Sequence, residues 1–315
     1  LNYCLTSAGL TINDIDCAAI STPWKIEKFK EFDNWINQKT TKKNIIVKSV
    51  SHHLAHAEYV THFGENINGL ICISDGSGSY GDDHSAIDLK DTSDDDLQLN
   101  SKGLSQTKET ISIYKYNDKK IIPKFKIFSA NTEIIKFQNT PPSSFFHSVG
   151  HVWEIASQII FKERNQAGKV MGLLGYNKNN IDIKFLDFDE SLQPVIKAET
   201  INKEIEIIKN KKYSEITDLA YISDIVQNNT NEYLSALIKE FINIDDKAIY
   251  LSGGVMLNIK LNSYISDIYP DKEIISIGSN EDNGTAIGAA LCVFRNIFNL
   301  NNTEKPNDFF GKEYN

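Results

Sequence analysis

Leu70–Ile71–Cys72–Ile73–Ser74–Asp75–Gly76–Ser77–Gly78 opens as a run of β-formers and ends in a carboxylate set among glycines. A strand here delivers Asp75 into a tight turn, where the backbone N–H groups around Gly76 and Gly78 can face a phosphate. Just upstream, Ser51–His52–His53–Leu54–Ala55–His56–Ala57 places His52 and His56 one helical turn apart. At that spacing both imidazoles leave the same helix face and can share one divalent ion. Glu does not follow the first histidine, so the zinc-protease signature is absent. A metal pair beside a phosphate cradle predicts metal-assisted chemistry on a nucleotide or an acyl phosphate.

The 315-residue chain has room for one large domain or for two lobes sharing a cleft. Its 41% hydrophobic and 24% charged residues suit a soluble globular protein and exclude a largely disordered one. A formal charge of −9 argues against general nucleic-acid binding. Cys4, Cys17, Cys72 and Cys292 are scattered without a C-x-x-C pair, which predicts reduced thiols in a cytoplasmic protein. No apolar run approaches the roughly 18 residues of a membrane helix, and no signal peptide is visible, so no membrane partner is expected. Leu1 rather than Met starts the chain on a helix already under way, as if the start of a larger protein were missing.

Outward from the glycine turn, strands alternate with helices, the pattern of a layered α/β fold. Strands are expected at Ala18–Ile20, Ile45–Val50 and Leu70–Ser74, a helix from about Lys25 to Gln38, and a second helix from the His pair to about Gly64. Asp91–Asp96 reads as an exposed acidic loop, and Ile111–Tyr116 with Phe125–Ser129 as antiparallel strands turning at Asn117–Asp118. After Pro141–Pro142, Ser143 or Ser144 is the expected cap of a helix through Phe161, and Thr217–Phe241 is a second long helix. Strand Ala248–Leu251 leads through Ser252–Gly253–Gly254 into a helix near Val255. Strand Glu273–Ile277 leads through Asp282–Asn283–Gly284 into helix Ala286–Phe298.

Three turns therefore follow strands directly, and in an open α/β sheet such turns collect on one ligand-binding edge. Gly253 and Gly254 there allow close backbone approach to phosphate or ribose. Asp282, presented by the last turn, is the expected third metal ligand. Two imidazoles and a carboxylate leave coordination positions open, as catalytic Fe(II) or Zn(II) sites require.

In order, His52–His53–Leu54–Ala55–His56–Ala57, Asp75–Gly76–Ser77–Gly78, His147–Ser148–Val149–Gly150 and Ala167–Gly168–Lys169–Val170–Met171–Gly172–Leu173 resemble the Kae1-like domain of the O-carbamoyltransferases. These are the nodulation and antibiotic-tailoring carbamoyltransferases. Ser252–Gly253–Gly254–Val255 through Asn258 and Asn262, Asp282–Asn283–Gly284 and Ile287–Gly288–Ala289–Ala290 continue the resemblance over nearly the whole chain. It implies an α/β, actin/Hsp70-like (ASKHA) fold of two RNase H-like lobes around a nucleotide cleft, with the N-terminal hairpin missing. The Kae1-like domain would span 1–298, lobe I about 1–142 and lobe II about 143–298, with 299–315 a linker toward an absent YrdC-like domain.

The resemblance further implies transfer of a carbamoyl group from carbamoyl-adenylate to a hydroxyl of a small-molecule or sugar acceptor. The YrdC-like domain of the same protein would make the adenylate from carbamoyl phosphate and ATP. A divalent metal (Fe2+ or Zn2+) would sit on His52, His56 and Asp282. The adenylate would lie against Gly253, Gly254 and Asn258, with Gly76, Gly78 and Gly172 completing its cradle and Lys169 near the cleft as a catalytic candidate. His53 and Asp75 are the candidate bases for the acceptor hydroxyl. Departures from the family pattern are Leu174–Gly175–Tyr176–Asn177 and Ser79–Tyr80, the latter where an acidic residue is common. The competing expectations are a nucleotide-binding module without catalysis and a tRNA threonylcarbamoyl-transferring relative. The acidic balance and the H-H-L-A-H form argue against the tRNA reading.

Overall fold

The computed structural model describes residues 2–21, 26–41, 45–64, 67–82, 86–88, 107–132, 145–146, 148–176, 183–190, 192, 194–197, 200, 203 and 216–298. A short helix α1 (Asn2–Ser7) leads to strand β1 (Cys17–Ser21), helix α2 (Ile26–Lys39), strand β2 (Ile46–Val50), helix α3 (His52–Phe63) and strand β3 (Gly69–Ser74). A two-residue strand β4 (Ala86–Ile87) precedes the hairpin β5 (Thr107–Asn117) and β6 (Lys120–Thr132), then β7 (Phe145–Phe146). Helices α4 (Val149–Phe161) and α5 (Ala167–Gly172), the pair β8 (Leu186–Phe188) and β9 (Pro194–Ile196), and the long α6 (Ile216–Phe241) follow. The described chain ends through β10 (Ala248–Ser252), α7 (Ile259–Ile268), β11 (Glu273–Ile275) and α8 (Thr285–Phe298).

Strands β11, β10, β3, β5, β6 and β7 lie side by side in that order. The first three run parallel, and β3, β5, β6 and β7 pair antiparallel. Strands β1, β2 and β4 form a separate parallel sheet. The larger sheet takes β3, β5 and β6 from before residue 142 and β10 and β11 from after it. Strand β3 is where its parallel and antiparallel halves meet. Ile73 pairs with Ser252, so the turns after β3 and β10 leave the sheet side by side.

Both faces of β3 are covered, which is why Gly69–Ser74 is buried throughout instead of alternating. Leu70 and Cys72 join a core with Trp153 of α4 and Ile225 and Leu237 of α6. Ile71 and Ile73 join another with Val60 of α3 and Ala289 and Cys292 of α8. Between those two helices Arg295 Nη1 donates to Glu58 Oε2 at 2.6 Å. Burial pushes the Glu58 carboxyl up to about 7 while Arg295 pulls it the other way. Arg295→Ala strands Glu58 in apolar surroundings and is expected to lower the unfolding free energy by about 3 kcal/mol. Urea unfolding reads this directly, and a change below about 0.5 kcal/mol would rank the pair with surface bridges.

Local chemistry moved several boundaries. The β5–β6 hairpin pairs Asn117 with Lys120 and turns on Asp118 and Lys119, one residue later than expected. Their φ angles of 48° and 63° are both positive, as a two-residue type I′ turn requires. Ser148, not Ser143 or Ser144, caps α4 by accepting from His151 N. Phe145–Phe146 pairs with β6 just before that cap, and Ser143 and Ser144 lie outside the described residues. Near Val255 the chain makes a 3₁₀ turn (Gly254–Leu257) before Asn258 caps α7, and β11 stops at Ile275. Residues 91–96 and 299–315 lie outside the described residues. No helix of the described residues is long and apolar enough to cross a membrane.

Candidate metal centre and adjoining cleft

Ser51 caps α3 by accepting from Leu54 N at 3.2 Å, and the helix is buried over all but its last residue. His52 and His56 project from one face with ring centroids 4.8 Å apart. Two carboxylates meet them from distant turns, Asp75 at the end of β3 and Asp282 just before α8. His52 Nε2 lies 3.2 Å from both Asp75 Oδ2 and Asp282 Oδ1. His56 Nε2 lies 3.6 Å from Asp75 Oδ2 and 3.7 Å from Asp282 Oδ1. Donor atoms about 2.1 Å from one tetrahedral ion stand about 3.4 Å from each other, close to this spacing.

Two further features fit a metal. His56 Nε2 is buried and makes no hydrogen bond. Behind it, Ser252 Oγ lies 3.2 Å from His56 Nδ1 and fixes the ring with Nε2 inward. Asp282 is 69% exposed while the histidines are 2% and 0% exposed, so the cluster opens on the Asp282 side. The electrostatics are those of a carboxylate-rich pocket. Burial disfavours a charged His52, but Asp282 and Asp75 more than reverse that and raise its pKa to about 10. Burial acts to raise Asp75, yet the His52 and His56 imidazoles beside it hold it well below the usual range, and the same two rings lower Asp282. The two acids are thus held in the ionised form that metal ligation requires, and an ion entering the site would displace the His52 proton.

A cleft of ≈ 470 Å³ adjoins the cluster. Asp75 belongs to both. Gly76, Gly150 and Gly254 line the cleft with backbone, Trp153, Met171 and Leu257 with apolar surface, and Asn258 and Glu281 with polar groups. A Cβ built on Gly254 would lie 3.2 Å from Asp75 Oδ1, so a side chain there would crowd the junction of cleft and cluster.

The structure thus gathers His52, His56, Asp75, Asp282, Gly76, Gly254 and Asn258 at one place, and separates the other sequence candidates from it. Gly253 has φ +96°, and a Cβ on it would meet Ser74 O at 2.4 Å, so it is glycine for backbone packing. Gly78 packs over the His53 ring, where a Cβ would lie 2.9 Å away. His53 itself is fully buried beneath that turn, Nδ1 2.7 Å from Ser112 Oγ, and does not line the cleft. Burial and the nearby Lys126 ammonium keep its imidazole neutral, well below the usual range. Lys169 stands exposed on α5 with its ammonium 5.8 Å from the Phe161 ring centre, and Gly172 ends that helix without lining the cleft. Asn258 lines the cleft, yet its side chain is committed to capping α7 and to Gln227 Oε1. His147 lies outside the described residues.

Sequence reading assigns Asp75 to proton transfer, and the structure brings its carboxylate within 3.6 Å of both imidazoles, where it could also serve as a metal donor. It misses Ser252 as the partner of His56, and Trp153 and Met171 as cleft walls. Their signals were present but weak: a serine at the end of a strand, and apolar residues beside the family's glycines.

The mixed sheet with a cleft at its strand ends has an actin/Hsp70-like fold, shared with solved HypF structures. HypF of T. kodakarensis superposes with TM-score 0.51 at 13% identity, over 88% of this chain and 39% of that one. Full-length HypF in its phosphate- and nucleotide-bound form superposes with TM-score 0.50 at 15% identity, over 82% and 45%. Residues 120–291 match the family described as Carbamoyltransferase N-terminus, and the chain belongs to that family. The match takes in the Gly168–Leu173, Ser252–Asn258 and Asp282–Gly284 motifs, while the His52–Gly78 stretch precedes it. The uncharacterized protein MJ1058 of Methanocaldococcus jannaschii is 27% identical over 163 residues, which cover 46% of this chain and 25% of that protein. The chain therefore spans less than half the length of each of these three proteins.

Proposed function

We propose that the chain transfers a carbamoyl group from carbamoyl-adenylate to a hydroxyl of a small-molecule or sugar acceptor. One observation carries this reading: Asp75 belongs at once to the His52–His56–Asp282 cluster and to the ≈ 470 Å³ cleft. A nucleotide with its base against Trp153, Met171 and Leu257 would bring its phosphate end beside the cluster. Membership of the carbamoyltransferase family supports the transferred group, and the nucleotide-bound HypF supports the ligand. Fe2+ or Zn2+ suits imidazoles with a carboxylate, and His52, His56 and Asp282, with Asp75 beside them, would hold it. Such an ion supplies Lewis acidity toward an oxygen that gains negative charge.

The chain's own residues supply binding, orientation and charge. The acceptor oxygen attacks the carbamoyl carbon, a new C–O bond forms, and AMP departs with the electrons of the old one. Asp75, ionised and facing both cluster and cleft, takes up the hydroxyl proton. The adenylate would come from a YrdC-like domain of the same protein, which consumes carbamoyl phosphate and ATP. The free cysteines suit a reducing, cytoplasmic setting.

A chain supplied with a separate YrdC-like domain, carbamoyl phosphate, ATP and Fe2+ or Zn2+ should release AMP only when an acceptor is present. Polyols, aminoglycosides and macrolides form the first acceptor panel, with the carbamoylated product read by mass spectrometry. AMP release indifferent to every acceptor would sink the proposal, and pyrophosphate release by the chain alone would place adenylation in this domain. Gly254→Val is expected to weaken ATP or AMP binding by about tenfold in calorimetry, because the side chain enters the junction beside Asp75. Unchanged affinity in a folded variant would assign Gly254 to turn geometry.

A second reading, a nucleotide-binding partner module without catalysis, is favoured by one observation: neither His53 nor Lys169 lines the cleft. Under it AMP binds normally and no acceptor is carbamoylated.

A further inference from the structure

We propose that Lys126 is a positioning residue of the metal centre, holding the start of α3 in register with the turn after β3 through two buried carboxylates. The inference rests on the metal reading above and assigns a role to residues outside the cluster and the cleft.

Lys126, on β6, is 3% exposed, and its ammonium lies 2.7 Å from both Asp88 Oδ2 and Glu109 Oε1. It also donates to Tyr114 Oη at 2.8 Å, and that hydroxyl donates to Asp88 Oδ2 at 2.9 Å. A buried ion set of this kind adds little stability over apolar side chains of equal volume. Its far side shows what it holds instead.

The first turn of any helix leaves its N–H groups without partners in the helix. In α3 each of the first three finds a side chain. His52 N donates to Ser79 Oγ at 3.0 Å, His53 N to Glu109 Oε2 at 3.4 Å, and Leu54 N to Ser51 Oγ at 3.2 Å. Glu109 Oε2 also accepts from Ser79 N at 3.2 Å, and Ser51 Oγ donates to Asp88 Oδ2 at 3.1 Å. All three anchors therefore lead back to Asp88 or Glu109, and both of those to Lys126. Ser79 stands on the same turn as Asp75, so one lysine ties the backbone of His52 to the strand end that carries its carboxylate partner.

The charges agree with this arrangement. Two carboxylates against one ammonium leave one negative charge facing the positive end of α3. Burial works against the Lys126 ammonium, but Asp88 and Glu109 hold its pKa well above the usual value, so the charge persists. Removing it would leave two anions side by side without a counterion. Glu109 would then turn from the His53 and Ser79 amides, and the start of α3 would shift against Asp75.

Cobalt(II) tests the idea without turnover, through its visible absorption and its affinity in calorimetry. Lys126→Met and Glu109→Gln are compared with wild type and with Lys115→Met, which breaks the Lys115–Asp246 ion pair elsewhere on β5. Lys126→Met and Glu109→Gln are expected to weaken cobalt binding by roughly tenfold or more and to change the visible bands, as loss of a supporting shell does. Lys115→Met should leave both unchanged. If Lys126→Met does not fold, Glu109→Gln alone carries the test. A folded Glu109→Gln with wild-type affinity and spectrum would overturn the positioning role while leaving the metal reading intact. Equal loss in Lys115→Met would reduce the effect to general destabilisation and overturn it too. A wild-type chain that binds no cobalt would overturn the metal reading and this inference with it.

Discussion

Replacing His52 and His56 together by alanine is expected to empty the metal centre. Elemental analysis should find about one ion per wild-type chain and less than about a tenth of that in the variant. Two of four donors are lost, and the two carboxylates that remain resemble an ordinary acidic pair in their hold on a transition metal. Asp75→Asn separates donor from base. As a donor, Asp75 should weaken metal affinity by about tenfold or more when changed, and as a base alone it should leave affinity untouched. Circular dichroism of the double variant should stay close to wild type, because Ser51 still caps α3. A double variant that keeps its metal would place the ligands elsewhere.

The second large effect is expected far from any ligand, at Gly288→Val. A Cβ on Gly288 would lie 1.8 Å from Ala55 O and 2.7 Å from Ala55 C, where α8 crosses α3. That oxygen belongs to helix backbone and cannot rotate away, so the two helices must part. Overpacking of this kind against backbone should lower stability by about 4 kcal/mol or more, measured by urea unfolding. Ala55 sits between His52 and His56 in α3, so metal affinity should fall together with stability. A Gly288→Val chain of wild-type stability would mean that the helices do not meet as described.

Both predictions show which features could be read before the fold was known. The His52–His56 pairing follows from helical periodicity alone, because residues four apart leave one face whatever surrounds them. The strands ending at Ser74 and Ser252 were legible for a similar reason, each a β-rich run closed by glycine. Gly253, Gly254 and Gly78 looked alike in sequence, since each is a small residue in a turn. Packing told them apart: Ser74 O presses on Gly253, the His53 ring lies under Gly78, and only Gly254 faces the cleft. Lys126 is one of several lysines along the hairpin in sequence, and nothing local marks it as buried.

What the sequence by itself determined is therefore local and periodic: the alternation of elements, the histidine pair, the strand-end turns, and the ordered motifs that carry the family resemblance. What only the tertiary structure decided is which distant groups meet. Asp75 joins the donor set, Ser252 backs His56, and Lys126 supports the α3 start because β3 lies between β10 and β5, an order that no local pattern encodes. Side-chain periodicity fixes the face a residue takes on its own element, whereas its partner across the fold is set by strand order and helix packing, which depend on burying all the apolar faces at once.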